Sequence, residues 1–269
     1  MIYKTDYHIH TRYSDGSDWP EAYLPAALKS GISEIGFADH LTLMDGQKEW
    51  SIDPLLLEEY CERLLRLRET TADVVIRIGL EVDYFPGKEE LILNTIKDLP
   101  LDYVIGSVHF LADKAIDLGP EYYENRDIDA IFDSYFSTIE EAAATSLFDF
   151  IAHPDLVRMF RYHTSHDPSH LYRRLAKSLH QHNVGFEINT NGMNKPLSDF
   201  YPDRRFLHIF REEKVSVCVN SDAHKPSRVA QYFDEAYSLV INAGFTEMAT
   251  FENREKTMVP VSGAVRTVR

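Results

Sequence analysis

Seven short apolar runs, separated by longer amphipathic segments, constrain the fold of this chain of 269 residues more than any other feature. Such alternation is typical of βα units arranged around a parallel sheet. The apolar runs, which predict strands, cover residues 2–10, 33–40, 74–83, 103–109, 148–153, 184–189 and 215–222. The amphipathic segments, which predict helices, cover residues 20–30, 54–71, 88–98, 129–147, 168–183, 203–213 and 227–243. The pattern therefore predicts an α/β fold with about seven parallel strands.

Each apolar run ends in side chains that are potential metal ligands. In chain order the ends carry His8 and His10, Asp39 and His40, Glu81 and Asp83, His109, His153, Glu187 and Asn189, and Asp222 and His224. The active site of a closed βα barrel lies at the carboxyl ends of its strands, so residues far apart in sequence are expected to meet in one cavity. Alternate residues of a strand point to the same face, which allows the first two histidines to reach one ion. The sequence therefore predicts a metal site at this end of the barrel.

The turn after the first run adds Asp15, whose carboxylate is expected to face the same cavity. Imidazole together with carboxylate suits zinc, iron or manganese. Asp39 and Asp83 are candidates to fix the tautomer of a neighbouring imidazole. The other six of the 12 histidines fall in loops or helices and are expected at the surface; they are His163, His166, His170, His180, His182 and His208.

Composition argues against several classes of protein. The formal net charge of −15 opposes a nucleic-acid-binding surface, which needs a basic face. Cys61 and Cys218 offer neither a disulfide framework nor a Cys-x-x-Cys metal site, which fits a reducing cytoplasm. No apolar run approaches the roughly 20 residues of a membrane span, and no cleavable leader is recognisable. We expect a cytoplasmic protein with one domain over residues 1–269, in which residues 257–269 form an exposed tail or a short strand at the barrel's rim.

The strand ends also form a series of short motifs. The series is His8-Ile-His10-Thr, Asp39-His40, Gly79-Leu-Glu81-Val-Asp83, Gly106-Ser-Val-His109, His153-Pro-Asp155, Glu187-Ile-Asn189 and Ser221-Asp222-Ala-His224. It resembles the PHP superfamily, named for its polymerase and histidinol phosphatase domains, from residue 3 to about residue 245. The Ser-Asp-Gly turn at Asp15, the Gly-Ser-Val-His-Phe run and the Glu-Ile-Asn-Thr-Asn-Gly run resemble the stand-alone histidinol-phosphate phosphatases of histidine biosynthesis.

The resemblance implies a distorted (β/α)7 barrel with a trinuclear centre of divalent or mixed-valence ions, drawn from Zn, Fe and Mn. By this resemblance one ion takes His8, His10, Glu81 and Asp222, a second shares Glu81 and adds His109 and His153, and the third takes Asp15, His40 and His224. The residues expected to serve catalysis directly are Asp15, His40, Glu81, Asp222 and His224. Many superfamily members have histidine in place of Asp15, and this hard oxygen ligand is hypothesised to favour iron or manganese.

The charge of such a centre indicates its substrate. Three divalent ions against the carboxylates of Asp15, Glu81 and Asp222 leave the pocket positive, so an anionic phosphate monoester is the expected ligand. Neighbouring metal ions lower the pKa of a bridging water and clamp the entering and leaving oxygens of an in-line displacement. The resemblance thus implies hydrolysis of L-histidinol phosphate by a metal-bridging hydroxide. The sequence does not identify the general acid.

Candidates for substrate binding lie in loops after the strands. Arg161 and Tyr162 follow the fifth strand, where the resemblance places substrate-binding residues, and a guanidinium binds phosphate oxygens bidentately. Arg204 or Arg205, after the sixth strand, is a second candidate. Asp18 and Trp19, after the first strand, are candidates to bind the ammonium or imidazole group of the substrate.

Two other interpretations stay open. The same barrel fits a phosphoesterase that acts on a nucleotide, on phosphotyrosine or on a DNA end, and the acidic composition weakens the last of these. A non-enzymatic scaffold that keeps only the fold is the other, and the nine filled ligand positions count against it. The sequence leaves the oligomeric state and the native metals open.

Overall fold

A nearly closed barrel of parallel strands forms the centre of the computed structural model, which describes residues 3–44 and 49–261. In chain order the strands are β1 (Lys4–Asp6), β2 (Ile32–Leu41), β3 (Val75–Asp83), β4 (Tyr103–Ser107), β5 (Phe110–Leu111), β6 (Lys114–Ala115), β7 (Phe150–Ile151), β8 (Gly185–Asn189), β9 (Val217–Asn220), β10 (Glu247–Glu252) and β11 (Glu255–Pro260). Seven of them form the barrel sheet in the order β1-β2-β3-β4-β7-β8-β9, with parallel pairing throughout. The predicted seven-stranded α/β barrel is therefore confirmed.

The barrel closes through residues just beyond β1 and β9. Ile9 and Ala223 form a parallel bridge, in which Ala223 N donates to His8 O at 3.1 Å and His10 N donates to Ala223 O at 3.0 Å. The carboxyl ends of all seven barrel strands consequently surround one opening.

Seven α-helices accompany the strands in the described residues, and each overlaps one predicted segment. They are α1 (Leu24–Lys29), α2 (Leu57–Thr70), α3 (Glu89–Ile96), α4 (Ile128–Ala144), α5 (Ser169–Gln181), α6 (Leu207–Glu212) and α7 (Phe233–Asn242). The side chain of Asp127 caps α4 by accepting from Ala130 N at 3.1 Å, because the first N–H groups of a helix lack partners inside it. In the described ranges we find no helix that is both long and apolar enough to cross a bilayer.

Four barrel strands end before the candidate ligands of their apolar runs, namely β1, β4, β7 and β9. Beyond β1 and β7, backbone groups bond to side chains instead of to a neighbouring strand. Tyr7 N donates to Asn220 Oδ1 at 2.8 Å, and His153 N donates to Glu187 Oε1 at 2.9 Å. Most candidate ligands therefore follow the strands, whereas the prediction placed them at the strand ends.

Two antiparallel hairpins, β5–β6 and β10–β11, were not predicted. The second covers the amino-terminal end of the barrel. Arg254, in the turn of this hairpin, donates from N to Asp102 O at 2.8 Å and from Nε to Asp149 Oδ2 at 2.5 Å. Asp102 directly precedes β4, and Asp149 directly precedes β7. The segment predicted as a tail or rim strand thus begins inside β11, and residues 262–269 lie outside the described part. A single domain over residues 1–269 stays a prediction.

Large aromatic side chains fill the amino-terminal half of the barrel, away from the opening at the carboxyl ends of the strands. Tyr103 is fully buried, and its Oη donates to Tyr7 O at 2.6 Å. Gly36 and Gly79 leave space for its ring, because a Cβ atom at either position would lie 2.3 Å or less from Tyr103 atoms. Phe251 of β10 closes this cluster from below, with its ring centroid 6.3 Å from that of Tyr103. The barrel is therefore solid below the opening.

We expect Phe251→Ala to lower the free energy of unfolding by about 3–5 kcal/mol, because it opens a cavity beneath the barrel. Phe251 is 1% exposed and stacks on Phe150 with a centroid distance of 5.2 Å. Urea denaturation measures the change. Met258→Ala, on the neighbouring strand at an exposed position, is the control and should change stability far less. Equal effects of the two substitutions would contradict the role of Phe251 in closing the amino-terminal end of the barrel.

Candidate metal centre

Glu81 lies near the carboxyl end of β3, and five histidine side chains surround it. Its side chain is buried. Five histidine nitrogens lie within 3.7 Å of its oxygens: His40 Nδ1 (2.8 Å), His8 Nε2 (3.2 Å) and His10 Nε2 (3.6 Å) near Oε2, and His153 Nε2 (3.0 Å) and His109 Nε2 (3.7 Å) near Oε1. The two oxygens of one carboxylate thus face two different sets of imidazoles.

Asp15 and Asp222 complete the cluster. His224 Nε2 lies 3.2 Å from Asp15 Oδ2, and His40 Nε2 lies 3.7 Å from the other oxygen of Asp15. His10 Nε2 lies 3.3 Å from Asp222 Oδ1. All nine residues predicted as ligands therefore meet in one cavity.

The donor atoms form three overlapping groups, each with its atoms within 4.8 Å of one another. The groups are His10 with Asp15, His40 and His224; His8 with His10 and Glu81; and His40 with Glu81 and His109. The third group contains His40 where the resemblance implied His153. None of the six histidines predicted at the surface belongs to a group in the described ranges; five are exposed and His182 is half-buried. Which atoms bind which ion stays a prediction.

Buried polar atoms without hydrogen-bond partners indicate that the cavity suits cations. Within the described chain they include His8 Nε2, both ring nitrogens of His10, His40 Nδ1 and Glu81 Oε2. Such atoms are costly when they stay unpaired, and a metal ion among them would satisfy their lone pairs. The mixture of imidazole nitrogen and carboxylate oxygen fits zinc, iron or manganese.

Two imidazoles are oriented by carboxylates behind them. His109 Nδ1 lies 2.8 Å from Asp83 Oδ1, as predicted for Asp83. His8 Nδ1 lies 3.0 Å from Glu187 Oε2. Carboxylates in this position fix the tautomer and turn Nε2 toward the ion. The sequence analysis named Glu187 among the potential ligands at the ends of the apolar runs but left it out of the nine-residue ligand set, and it did not predict this contact with His8.

Asp39 does not hold an imidazole, and this prediction was wrong. Its carboxylate accepts from Thr11 N at 2.7 Å, Thr11 Oγ1 at 2.8 Å and Ser14 Oγ at 2.6 Å. It binds the turn that carries Asp15, because this turn has polar groups that no strand satisfies. Asp39 thus positions a candidate ligand through the backbone.

The close packing of imidazoles and carboxylates shifts pKa values in opposite directions. Burial lowers the pKa of His10 to about 3, with help from His40, so its ring is neutral at physiological pH. Burial acts to raise the pKa of Glu81, but the neighbouring histidines, His8 first, hold it well below its usual range. A neutral imidazole and an ionised carboxylate are the forms that bind metal ions.

His109 shows that the cavity favours positive charge. Burial acts to lower its pKa, but the carboxylates of Asp83 and Glu81 outweigh that effect and raise the pKa to about 10. A divalent ion next to Nε2 satisfies the same carboxylates, so the ion would displace a proton from this ring.

Arg161 and Tyr162 lie in the loop after β7, as predicted. Arg161 is exposed, and no carboxylate in the described ranges forms an ion pair with its guanidinium. Tyr162 stacks on Tyr123 with a centroid distance of 4.9 Å. Tyr123 Oη donates to Ile116 O, and Ile116 N donates to His109 O at 2.9 Å, so this loop joins the segment that follows a candidate ligand.

Arg204 and Arg205 are engaged by neighbouring acids. Arg204 pairs with Asp199, and Arg205 Nη2 lies 2.6 Å from Asp203 Oδ2. Both guanidinium groups are at least half exposed, so these pairs are weak. A phosphate would have to compete with a carboxylate for either arginine, and their role in substrate binding stays a prediction.

Asp18 and Trp19 also have partners in the chain. The guanidinium carbon of Arg63 lies 4.3 Å from the centre of the Trp19 ring, and Asp18 accepts from Ser17 Oγ at 2.5 Å. A cation from α2 therefore already occupies one face of the indole ring. Substrate binding by these two residues stays a prediction.

Trp50 borders the candidate ligands, and the sequence analysis did not single it out. Its ring is perpendicular to that of His40 at a centroid distance of 5.4 Å and is nearly parallel to that of Phe110 at 6.1 Å. No motif marks it in the sequence, because it lies in a long connection between β2 and α2.

The fold and this site define a metal-dependent hydrolase built on a parallel barrel, with its reactive groups at the carboxyl ends of the strands. A family model described as "PHP domain" matches residues 6–191, and the chain belongs to this family.

Similar proteins agree with this assignment. The "Probable histidinol-phosphatase" of Deinococcus radiodurans is 31% identical over 256 residues, which cover 93% of this chain and 97% of that protein. The "Histidinol-phosphatase" of Lactococcus lactis is 25% identical over 256 residues, with 92% and 94% covered. The crystal structure of the histidinol phosphate phosphatase from Lactococcus lactis, solved with zinc, L-histidinol and phosphate, superposes with a TM-score of 0.83 at 25% identity, over 96% of this chain and 100% of that one. Our chain is thus a phosphoesterase of the PHP type.

We expect Glu187→Gln to weaken zinc binding by about 10- to 100-fold, the usual effect of losing a carboxylate behind a ligand. Glu187 accepts from His153 N, Asn189 Nδ2 and Asn220 Nδ2 besides facing His8, and an amide cannot accept at both of its ends. Zinc retained per chain in competition with a chelator measures the effect. Glu62→Gln, on the exposed face of α2, is the matched control. Equal zinc retention in both variants would contradict the role of Glu187.

Proposed function

We propose that this protein hydrolyses L-histidinol phosphate to L-histidinol and inorganic phosphate, as a cytoplasmic step of histidine biosynthesis. One observation carries the proposal: six histidines and three carboxylates converge at the carboxyl end of the barrel, and Arg161, in the loop after β7, has no ion-pair partner among the described residues. The names of the relatives, and the L-histidinol and phosphate bound to one of them, support the choice of substrate.

We infer that the cavity holds three metal ions. The ligands are the nine residues already described: His8, His10, Asp15, His40, Glu81, His109, His153, Asp222 and His224. When bound, such ions supply a hydroxide nucleophile near neutral pH and neutralise charge on phosphate oxygens. Zinc in the Lactococcus lactis structure supports zinc here, and the oxygen ligand Asp15 leaves iron or manganese as a hypothesis for one site.

The protein groups divide the remaining work. Glu187 contacts Nδ1 of His8, and Asp83 contacts Nδ1 of His109. Nε2 of each histidine therefore points toward the cavity. Arg161 provides five N–H donors in a planar fork, which matches the oxygens of a phosphate. Within the part of the chain that the structure describes, it has no carboxylate partner, whereas Arg204 and Arg205 each have one, so Arg161 is the arginine that we assign to the phosphate.

We expect phosphate release from L-histidinol phosphate to exceed release from other esters by the metal-replete protein. The panel contains p-nitrophenyl phosphate, phosphotyrosine, a nucleoside monophosphate and a short DNA strand with a terminal phosphate. Inorganic phosphate is measured at equal substrate concentrations. A preference for a different ester would overturn the substrate while keeping the phosphoesterase. Equal, slow release from all of them would also contradict the proposed substrate.

We expect Arg161→Ala and Asp222→Asn to fail in different ways. Loss of a charge-assisted hydrogen bond to phosphate costs about 1.5–3 kcal/mol, so Arg161→Ala should lower kcat/KM about 10- to 100-fold and leave the metal content unchanged. Asp222→Asn should lose metal and turnover together. Steady-state kinetics and metal analysis separate the two cases. Arg66→Ala, on the exposed face of α2, is the control. Full turnover in Asp222→Asn would refute its assignment as a ligand.

A further inference from the structure

The two carboxylate oxygens of Asp222 have different surroundings. Oδ1 faces the candidate metal cavity, 3.3 Å from His10 Nε2. Oδ2 accepts from Asn189 Nδ2 at 3.1 Å and from Asn191 Nδ2 at 3.3 Å. Both asparagines belong to the Glu-Ile-Asn-Thr-Asn-Gly run, and the proposed reaction gives neither of them a direct role. The two amides therefore orient Oδ2 away from the cavity, and Oδ1 is the oxygen that can bind an ion.

A row of hydrogen bonds continues from Asn191 to the surface. Asn191 Oδ1 accepts from Asn194 Nδ2 at 3.1 Å, and Asn194 Oδ1 accepts from Arg228 Nη1. We call these four residues, Asp222, Asn191, Asn194 and Arg228, the Arg228 relay. In each of the three bonds that link these four residues, the residue farther from Asp222 is the donor.

The direction of the relay has a physical cause at its outer end. An asparagine side chain can donate from one side or accept on it, depending on which way its amide is turned. Arginine can only donate, so Arg228 requires the oxygen of Asn194 to face it. The NH2 group of Asn194 then faces Asn191 Oδ1, which turns the NH2 group of Asn191 toward Asp222.

Arg228 orients the amide of Gln231 as well as that of Asn194. Gln231 Oε1 accepts from Asn194 Nδ2 at 2.8 Å and from Arg228 Nη1 at 3.0 Å. Its Nε2 donates to Ser221 O at 3.0 Å, directly before Asp222 in the chain. The relay is therefore closed into a ring that joins the turn after β8 to the loop after β9.

We propose that Arg228 is a positioning residue for the metal centre, because it sets the direction of the relay and so keeps the Asn191 NH2 group as a donor to Oδ2 of Asp222. The proposal rests on the proposed function in one respect, the role of Asp222 as a metal ligand. With the relay reversed, Asn191 Oδ1 would face a carboxylate oxygen, and the repulsion would turn Asp222 away from its present orientation.

The charge of Arg228 by itself has the opposite consequence. A positive charge repels divalent ions, so replacing it by a negative charge should strengthen metal binding if only long-range electrostatics matter. The relay instead requires that an acceptor at this position weaken metal binding. The sign of the change in zinc affinity therefore separates the two effects.

The test compares Arg228→Glu, whose carboxylate only accepts, with Arg228→Lys, whose ammonium only donates. Arg66→Glu, on the exposed face of α2, makes the same charge change away from the site. We expect Arg228→Glu to lower zinc affinity about 10-fold or more, measured by chelator competition, and Arg228→Lys to restore zinc retention relative to it. Thermal unfolding of the metal-free proteins should be similar for the three variants.

The outcomes distinguish the relay from the function on which it rests. If Arg228→Glu binds zinc as tightly as Arg66→Glu, or more tightly, the relay is refuted. Equal weakening by Arg228→Lys and Arg228→Glu would also refute it, because both would then act through lost packing. If the unmodified protein binds no zinc, or if Asp222→Asn retains all of it, the proposed metal function fails before the relay is reached.

Discussion

The buried carboxylate of Glu81 is the interaction on which the rest of the site depends. A carboxylate that leaves water loses several kcal/mol of hydration, and the loss must be offset by nearby positive charge or hydrogen bonds. Here five imidazoles surround it within 3.7 Å, and four separate segments of the chain provide them, with His8 and His10 in the same segment after β1. Protons on some of these rings can neutralise it in the metal-free protein, and metal ions can do so when bound. The same charge therefore favours the closed barrel and the binding of cations.

Backbone strain at two candidate ligands shows how firmly the barrel holds this arrangement. His153 has φ of 26° and Asp222 has φ of 51°, values that non-glycine residues rarely adopt and that cost about 1–3 kcal/mol each. Hydrogen bonds oppose the cost at both places. His153 N donates to Glu187 Oε1, and Ser221 N, next to the second strained residue, donates to the carboxylate of Asp6 at 2.9 Å. The buried carboxylates of Glu187 and Asp6 thus hold the backbone of the site, and Glu187 also holds the side chain of His8.

The sequence predicted the barrel and the nine converging residues because both follow from local patterns. Strand periodicity and the position of His or acid at the end of each apolar run are visible without any long-range information. The partners behind the ligands were harder to predict. The contact of Glu187 with His8 joins residues 179 positions apart, and the bond of Asn191 to Asp222 depends on which way an amide is turned. Asp39 shows the converse error, because adjacency to His40 in sequence suggested a contact that its neighbours Thr11 and Ser14 replace.

The contrast between the surface and the cavity bears on how an anionic substrate is captured. The chain carries a formal net charge of −15, so its average field repels a phosphate ester at a distance. Salt screens that repulsion beyond roughly 8 Å at physiological ionic strength, whereas charges in direct contact are screened much less. Attraction must therefore come from groups that touch the ester: metal ions, when the cavity holds them, and a guanidinium that forms no ion pair with a carboxylate of the described residues. Among the arginines predicted to bind substrate, Arg161 meets that condition, whereas Arg204 and Arg205 each have a carboxylate partner. Selectivity for a phosphate monoester then resides in short-range contacts at the end of the barrel, and the acidic surface disfavours larger polyanions that cannot enter it.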